Sequence, residues 1–192
     1  MSIISVFNNV TIDGFFAEPD GKIDFFKREN DVEQEEFTND SVKSGGMLIL
    51  GRVTYQLMAG YWPTPQAMES SPRVAEFMNN TPKIVFSRTM DRAEEGPRWK
   101  NVRLFDDIRR DEIIELKKEG GIGITILGSG SIVRQLANLG LIDQYQLMIH
   151  PLLLGRGKRL LENIKAMNLQ LSDSKAFKNG NVLLRYRAGA KT

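Results

Sequence analysis

Three short apolar runs in the chain end in residues suited to gripping phosphate. The first is Leu50-Gly51-Arg52-Val53-Thr54-Tyr55. A glycine there lets the backbone approach a ligand closely. The next helix begins with unpaired N–H groups. An arginine at that end opposes the helix dipole, and a bound phosphate would reverse the sign of that interaction. An arginine paired with a surface carboxylate is the competing explanation. The second run, Val85-Phe86-Ser87-Arg88-Thr89, ends in two hydroxyls around a guanidinium. On its own it also fits a solvated turn.

The third run is Leu127-Gly128-Ser129-Gly130-Ser131-Ile132. It forms a glycine- and serine-rich turn into an amphipathic helix, a nest of N–H groups suited to pyrophosphate. It also fits an ordinary strand-to-helix turn with a serine cap. A Rossmann fingerprint is excluded because Val133 stands where the third glycine belongs, and a P-loop because the run lacks G-K-[ST]. Two arginines and one neutral nest together suit a diphosphate with an additional phosphate. That describes NADPH better than NADH, which lacks the 2′-phosphate.

Other chemistries are closed off by residue type. There is no cysteine, and His150 is the only histidine. Thiolate zinc sites, cysteine nucleophiles and the zinc deaminase site are therefore excluded. No metal site is expected. Net charge is +2 from 26 basic and 24 acidic residues, which provides no broad field for a nucleic-acid backbone. No run approaches the ~20 apolar residues of a membrane span. The N-terminus lacks a signal-peptide pattern, so a cytoplasmic protein is expected.

These turns need a sheet to align them. The 192 residues, 41% hydrophobic and 26% charged, suit a single domain over residues 1–192. Strands are expected at Ile3–Val10, Met47–Leu50, Lys83–Phe86, Val102–Phe105, Ile122–Leu127, Gln144–Ile149 and Leu152–Leu154. Helices are expected over residues 31–44, capped by Asn30 with Glu33 in a capping box, and over Thr54–Ala59, Arg73–Asn79, 109–119 and 132–139. Gly120-Gly121 should stop the fourth helix. Tyr61–Pro72, with three prolines, and Asp91–Lys100 read as surface loops. Asn168–Phe177 and Asn181–Arg187 read as a hairpin across Lys178-Asn179-Gly180. The alternation predicts an α/β fold around a mixed, mostly parallel sheet covered on both faces, with ligands beyond the strands' carboxyl ends.

The chain resembles the dihydrofolate-reductase-like superfamily, and within it the C-terminal reductase domain of the bifunctional riboflavin-biosynthesis deaminase-reductase and its stand-alone relatives. The resemblance is carried by an ordered set of pieces. They are Val10-Thr11-Ile12-Asp13-Gly14-Phe15-Phe16-Ala17, the three runs above, Gly140-Leu141-Ile142-Asp143, and Pro151-Leu152-Leu153-Leu154-Gly155-Arg156-Gly157. It implies a three-layer α/β/α fold and NADPH as hydride donor. By position it implies that Gly51, Arg52 and Thr54 form a phosphate-binding turn, with Ser87 and Arg88 beside the 2′-phosphate. Leu127, Gly128, Ser129, Gly130, Ser131 and Ile132 would lie under the pyrophosphate, and Val10 and Thr11 near the nicotinamide.

On the substrate side, Asp13 matches an acidic position that could orient substrate or assist proton delivery; a tight Asp-Gly turn is the equal alternative. Asp24 is a second carboxylate candidate. Gly155 and Gly157 flank Arg156 in a run that could hold a sugar phosphate, or be a solvated basic loop. His150 is expected to be structural. The implied activity is reduction of a small heterocycle, as in 5-amino-6-(5-phosphoribosylamino)uracil reductase. Dihydrofolate reduction and non-catalytic NADPH binding are the alternatives. The first strand, Asn8-Asn9-Val10, carries no lysine, unlike the riboflavin enzyme, and no motif selects among Glu33, Glu35 and Glu36 as a pterin-binding acid. A homodimer through the apolar stretch Leu147–Leu154 is also implied.

Overall fold

The computed structural model describes residues 1–26, 31–43, 45–93, 95–119 and 123–189. In chain order the elements are β1 (Ile4–Thr11), β2 (Phe15–Ala17), a 3-10 turn (Asp24–Phe26), α1 (Val32–Ser41), β3 (Met47–Gly51), α2 (Arg52–Tyr61), α3 (Pro65–Ser70), α4 (Pro72–Asn80), β4 (Lys83–Phe86), β5 (Val102–Phe105), α5 (Arg110–Lys118), β6 (Ile124–Gly128), α6 (Gly130–Asn138), β7 (Gln144–His150), β8 (Lys158–Arg159), β9 (Leu169–Ala176) and β10 (Val182–Ala188).

Eight strands form one sheet in the order β5-β4-β3-β6-β1-β7-β10-β9. All pairs from β5 through β7 are parallel. β10 runs antiparallel to β7 and β9, which makes the C-terminal hairpin. The sheet is layered by side-chain alternation. Leu48, Leu50 and Val85 pack with Tyr55, Met78 and Trp99 on one face, under α2 and α4. Ile49, Ile84 and Phe86 pack with Ile113, Leu116, Ile132 and Leu136 on the other, under α5 and α6. The result is the three-layer α/β/α arrangement.

The parallel pairing brings the carboxyl ends of β3, β4, β5 and β6 to one edge. Two expectations change. Tyr61–Pro72 contains α3, because Pro65 and Pro72 each occupy a helix's first turn, where a missing N–H costs nothing. Thr64 caps the first of these helices by accepting from Ala67 N–H at 3.2 Å. Leu152–Leu154 is no strand: Pro151 cannot donate to a ladder, and Leu152 N–H turns back to the His150 carbonyl at 2.7 Å.

Asn30, Gly120, Gly121 and Ile122 lie outside the described residues. The cap of α1 is Asp31, which accepts from Gln34 N–H at 3.1 Å. The buried Gln34 amide oxygen accepts from the Asn179 and Asn181 side chains at 2.9 and 2.8 Å. That ties the start of α1 to the turn of the C-terminal hairpin. Among the described residues no helix is long and apolar enough to cross a membrane.

Candidate functional site

The edge where β3, β4 and β6 end carries a cleft of about 490 Å³, lined by Gly51, Arg52, Ser87, Arg88, Asp107 and Ser131 among others. All three sequence-predicted turns meet there. Arg52 is exposed and makes no ion pair among the described residues. Ser87 Oγ accepts from Thr89 and Met90 N–H at 3.2 and 3.1 Å. A hydroxyl has two acceptor sites and one donor, so what remains of Ser87 is its donor, which suits an anion. Arg88 donates to Asp107 at 2.9 Å, and that contact holds the Asp107 carboxyl below its usual range.

Two helix N-termini open onto the same cleft. α2 starts from Gly51, which has no side chain to cap it. α6 starts from Ser129, whose hydroxyl is bonded to Ser131 Oγ at 2.7 Å and caps no helix N–H. Both therefore keep N–H groups free for an anion. The turns touch through Gly51: a Cβ there would lie 2.6 Å from Ser129 Oγ and 3.1 Å from Ile132 Cγ1. Gly128 holds φ +124°, a region that disfavours side chains, and lies against Thr54. The Gly128–Ser129 peptide is cis.

A second, larger cleft of about 1130 Å³ runs over the central strands on the face that also carries α2 and α4. Val53, Ser129 and Ser131 line both clefts, so the two adjoin. Thr54, Leu127, Gly128 and Gly130 line the larger one. Its lining is mostly apolar and includes Phe37 from α1 and Leu57, Tyr61 and Trp62 on and after α2. Val53, Leu57 and Tyr61 recur every four residues along α2 and stay 51%, 52% and 42% exposed. Asn8 lines the cleft near Gly128. Its Nδ2 donates to the Leu127 carbonyl at 3.3 Å, while its buried Oδ1 has no partner among the described residues. A buried acceptor without a donor is costly, which makes this atom a candidate ligand contact. Asn9 Oδ1 is bonded to His150 Nε2 at 2.9 Å, and the buried imidazole lies 4.6 Å from the Phe26 ring.

The remaining candidates fall outside both clefts. Val10 is in the core beneath α6. The buried Thr11 hydroxyl donates to Asp13 at 2.5 Å and accepts from Phe15 N–H at 3.0 Å. β1 thus lines the cleft with Asn8 and Asn9 in place of Val10 and Thr11. The Asp13 carboxylate also accepts from Leu154 and Gly155 N–H at 3.2 and 2.8 Å. The Thr11 hydroxyl foremost, with those two amides, lowers its pKa to about 2. An acid so strong is ionised at neutral pH, so Asp13 is a loop anchor and a poor proton donor. Asp24 is exposed and lines neither cleft; Ile23 and Phe26 line the larger one. Gly155 serves the Asp13 anchor. Gly157 packs so closely on β2 that a Cβ would overlap the Ala17 carbonyl. The neighbouring Lys158 is the residue of that run which reaches the cleft.

The profile of the RibD C-terminal domain family matches residues 2–183. The chain belongs to that family. Membership places it among oxidoreductases related to the reductase of the riboflavin pathway. An uncharacterized Bacillus subtilis protein, YyaP, is 28% identical over 178 residues, or 92% of this chain and 90% of that protein. A candidate riboflavin biosynthesis protein from Shewanella sp. PV-4 superposes with TM-score 0.75 at 21% identity, covering 97% of this chain and 99% of that one. Enterococcus faecalis dihydrofolate reductase, complexed with NADP(H) and RAB-propyl, gives TM-score 0.61 at 15% identity over 97% and 96%. These likenesses establish the dihydrofolate-reductase-like fold of this RibD-family chain.

Proposed function

We propose that this protein is an NADPH-dependent reductase of a small heterocyclic or carbonyl substrate, resembling 5-amino-6-(5-phosphoribosylamino)uracil reductase. The observation that carries the reading is the adjacency of the two clefts at Val53, Ser129 and Ser131. One end is small, polar and rich in N–H and guanidinium donors; the other is large and apolar. A dinucleotide with a phosphorylated ribose has that same polarity along its length. Relatives by fold include a protein whose structure was solved with NADP(H).

The residues present fit the group. Arg52, Ser87 and Arg88 would hold the 2′-phosphate. The N-termini of α2 and α6 would hold the diphosphate. The unpartnered Asn8 Oδ1 would take a hydrogen-bond donor from the nicotinamide half or the substrate. When bound, NADPH supplies the hydride. The apolar walls from Phe37, Leu57 and Trp62 exclude water and orient a planar substrate over the cleft floor. We also propose that two copies pair through Leu147–Leu154, where Leu153 is 70% exposed; elution as a monomer in gel filtration would remove that part.

Fluorescence titration tests the cofactor reading. Arg52→Ala should weaken NADPH binding by roughly ten- to a hundredfold, the 1.5–3 kcal/mol of a hydrogen bond to a charged group. Unchanged affinity in that variant would refute the assignment.

A further inference from the structure

The small cleft is lined by charges of both signs. Arg52 and Arg88 bring two guanidiniums, and Asp106 and Asp107 at the end of β5 bring two carboxylates. Only Arg52 among these four makes no ion pair among the described residues. Asp106 is engaged by Arg109 at 3.3 Å, and Arg88 by Asp107 at 2.9 Å. Asp107 Oδ1 is itself fixed by Ile108 N–H at 3.0 Å. The carboxylate is therefore anchored to the turn after β5, while the arginine reaches across to it from the turn after β4.

We propose that Asp107 competes with the cofactor's 2′-phosphate for Arg88 and so limits the preference for NADPH over NADH. This rests on the cofactor reading above. The contact is a single nitrogen–oxygen pair with side chains 74% and 43% exposed. Such a pair is weak and leaves the guanidinium free to turn, so it does not preorganise Arg88 as a bidentate contact would. A phosphate drawing Arg88 inward would meet the Asp107 carboxylate as a like charge. NADH brings a ribose hydroxyl in place of the phosphate, and a hydroxyl can donate to a carboxylate. Both effects of Asp107 act in the same direction, against NADPH and for NADH.

The test is fluorescence titration of wild type, Asp107→Asn, Arg88→Ala and the double variant with NADPH and with NADH. Asparagine keeps an oxygen for Ile108 N–H; Asp107→Ser serves if the first variant folds poorly. Asp107→Asn should tighten NADPH about fivefold, the size of one like-charge contact in a water-like dielectric, without tightening NADH. The gain should shrink in the Arg88→Ala background, where only the like-charge relief remains. NADPH affinity that stays the same or falls, an equal gain for NADH, or a gain undiminished without Arg88 would each overturn the inference alone. Wild-type protein that binds neither nucleotide would remove the cofactor reading, and this inference with it.

Discussion

Gly51 and Ser129, on turns from different strands, lie so close that one methyl group would not fit between them: a Cβ on Gly51 would sit 2.6 Å from Ser129 Oγ. β3 and β6 are adjacent parallel strands, so their end turns emerge side by side. The glycine lets the N-termini of α2 and α6 converge on one cleft.

Gly51→Ala should therefore damage binding more than folding. Overpacking costs about 1–3 kcal/mol, which a melt would register as a modest loss. Displacing Ser129 spoils the geometry at both N-termini, and NADPH affinity should drop roughly tenfold or more. A folded variant with wild-type affinity would show that the two turns do not act together.

Asp13 yields a prediction about acid. Its pKa falls from 3.8 to about 2 in the folded chain, chiefly through the Thr11 hydroxyl. Its stabilising contribution is complete above the unfolded value and is lost as pH falls from about 4 to about 2. Thermal melts between pH 2 and 5 should show a shallower acid loss for Asp13→Asn than for wild type. At neutral pH the same variant should keep the shape of the pH–rate profile, because an ionised carboxylate donates no proton. Loss of a limb between pH 5 and 8 would restore Asp13 as the acid.

Lys83 is a buried ammonium. Its Nζ donates to the carbonyls of Asn79, Thr81 and Lys100 at 3.1, 2.7 and 3.0 Å and lies 4.3 Å from the Trp99 ring centroid. Burial pushes its pKa down from 10.5 to about 8. Between those values the unfolded chain binds more protons than the folded one, so this group adds stability as pH rises. Tyr145, raised by burial to about 12, acts in the opposite sense only above about 10. Denaturant melts at pH 7.5 and 9.5 should show that gain in wild type and its absence in Lys83→Met. The variant should also lose about 1–3 kcal/mol from carbonyls left without a donor.

The sheet and the three gripping turns are legible in the sequence because their signals are local. A four- or five-residue apolar run ending in Gly-Arg, Ser-Arg or Gly-Ser-Gly-Ser announces both a strand and the turn at its end. The large cleft is not legible, since Phe37 comes from α1, Leu57 and Trp62 come from α2 and its end, and no motif joins them. Its one local trace is the stripe Val53, Leu57, Tyr61, which looks like core spacing and is half exposed. The anchoring role of Asp13 is hidden for a similar reason: its amide partners Leu154 and Gly155 are about 140 residues away in the chain. Pro65 looks like a loop marker, although its neighbour Thr64 is a good cap and proline starts helices as readily as it ends them.

The most direct test is a crystal structure with NADPH bound. The 2′-phosphate is expected within hydrogen-bonding distance of Arg52 and Ser87, the diphosphate at the Gly51 and Ser129–Ser131 turns, and the nicotinamide in the apolar cleft near Asn8. A cofactor whose phosphates lie away from Arg52 and the start of α6, or whose nicotinamide never enters the cleft beside Leu57, would contradict the cofactor assignment.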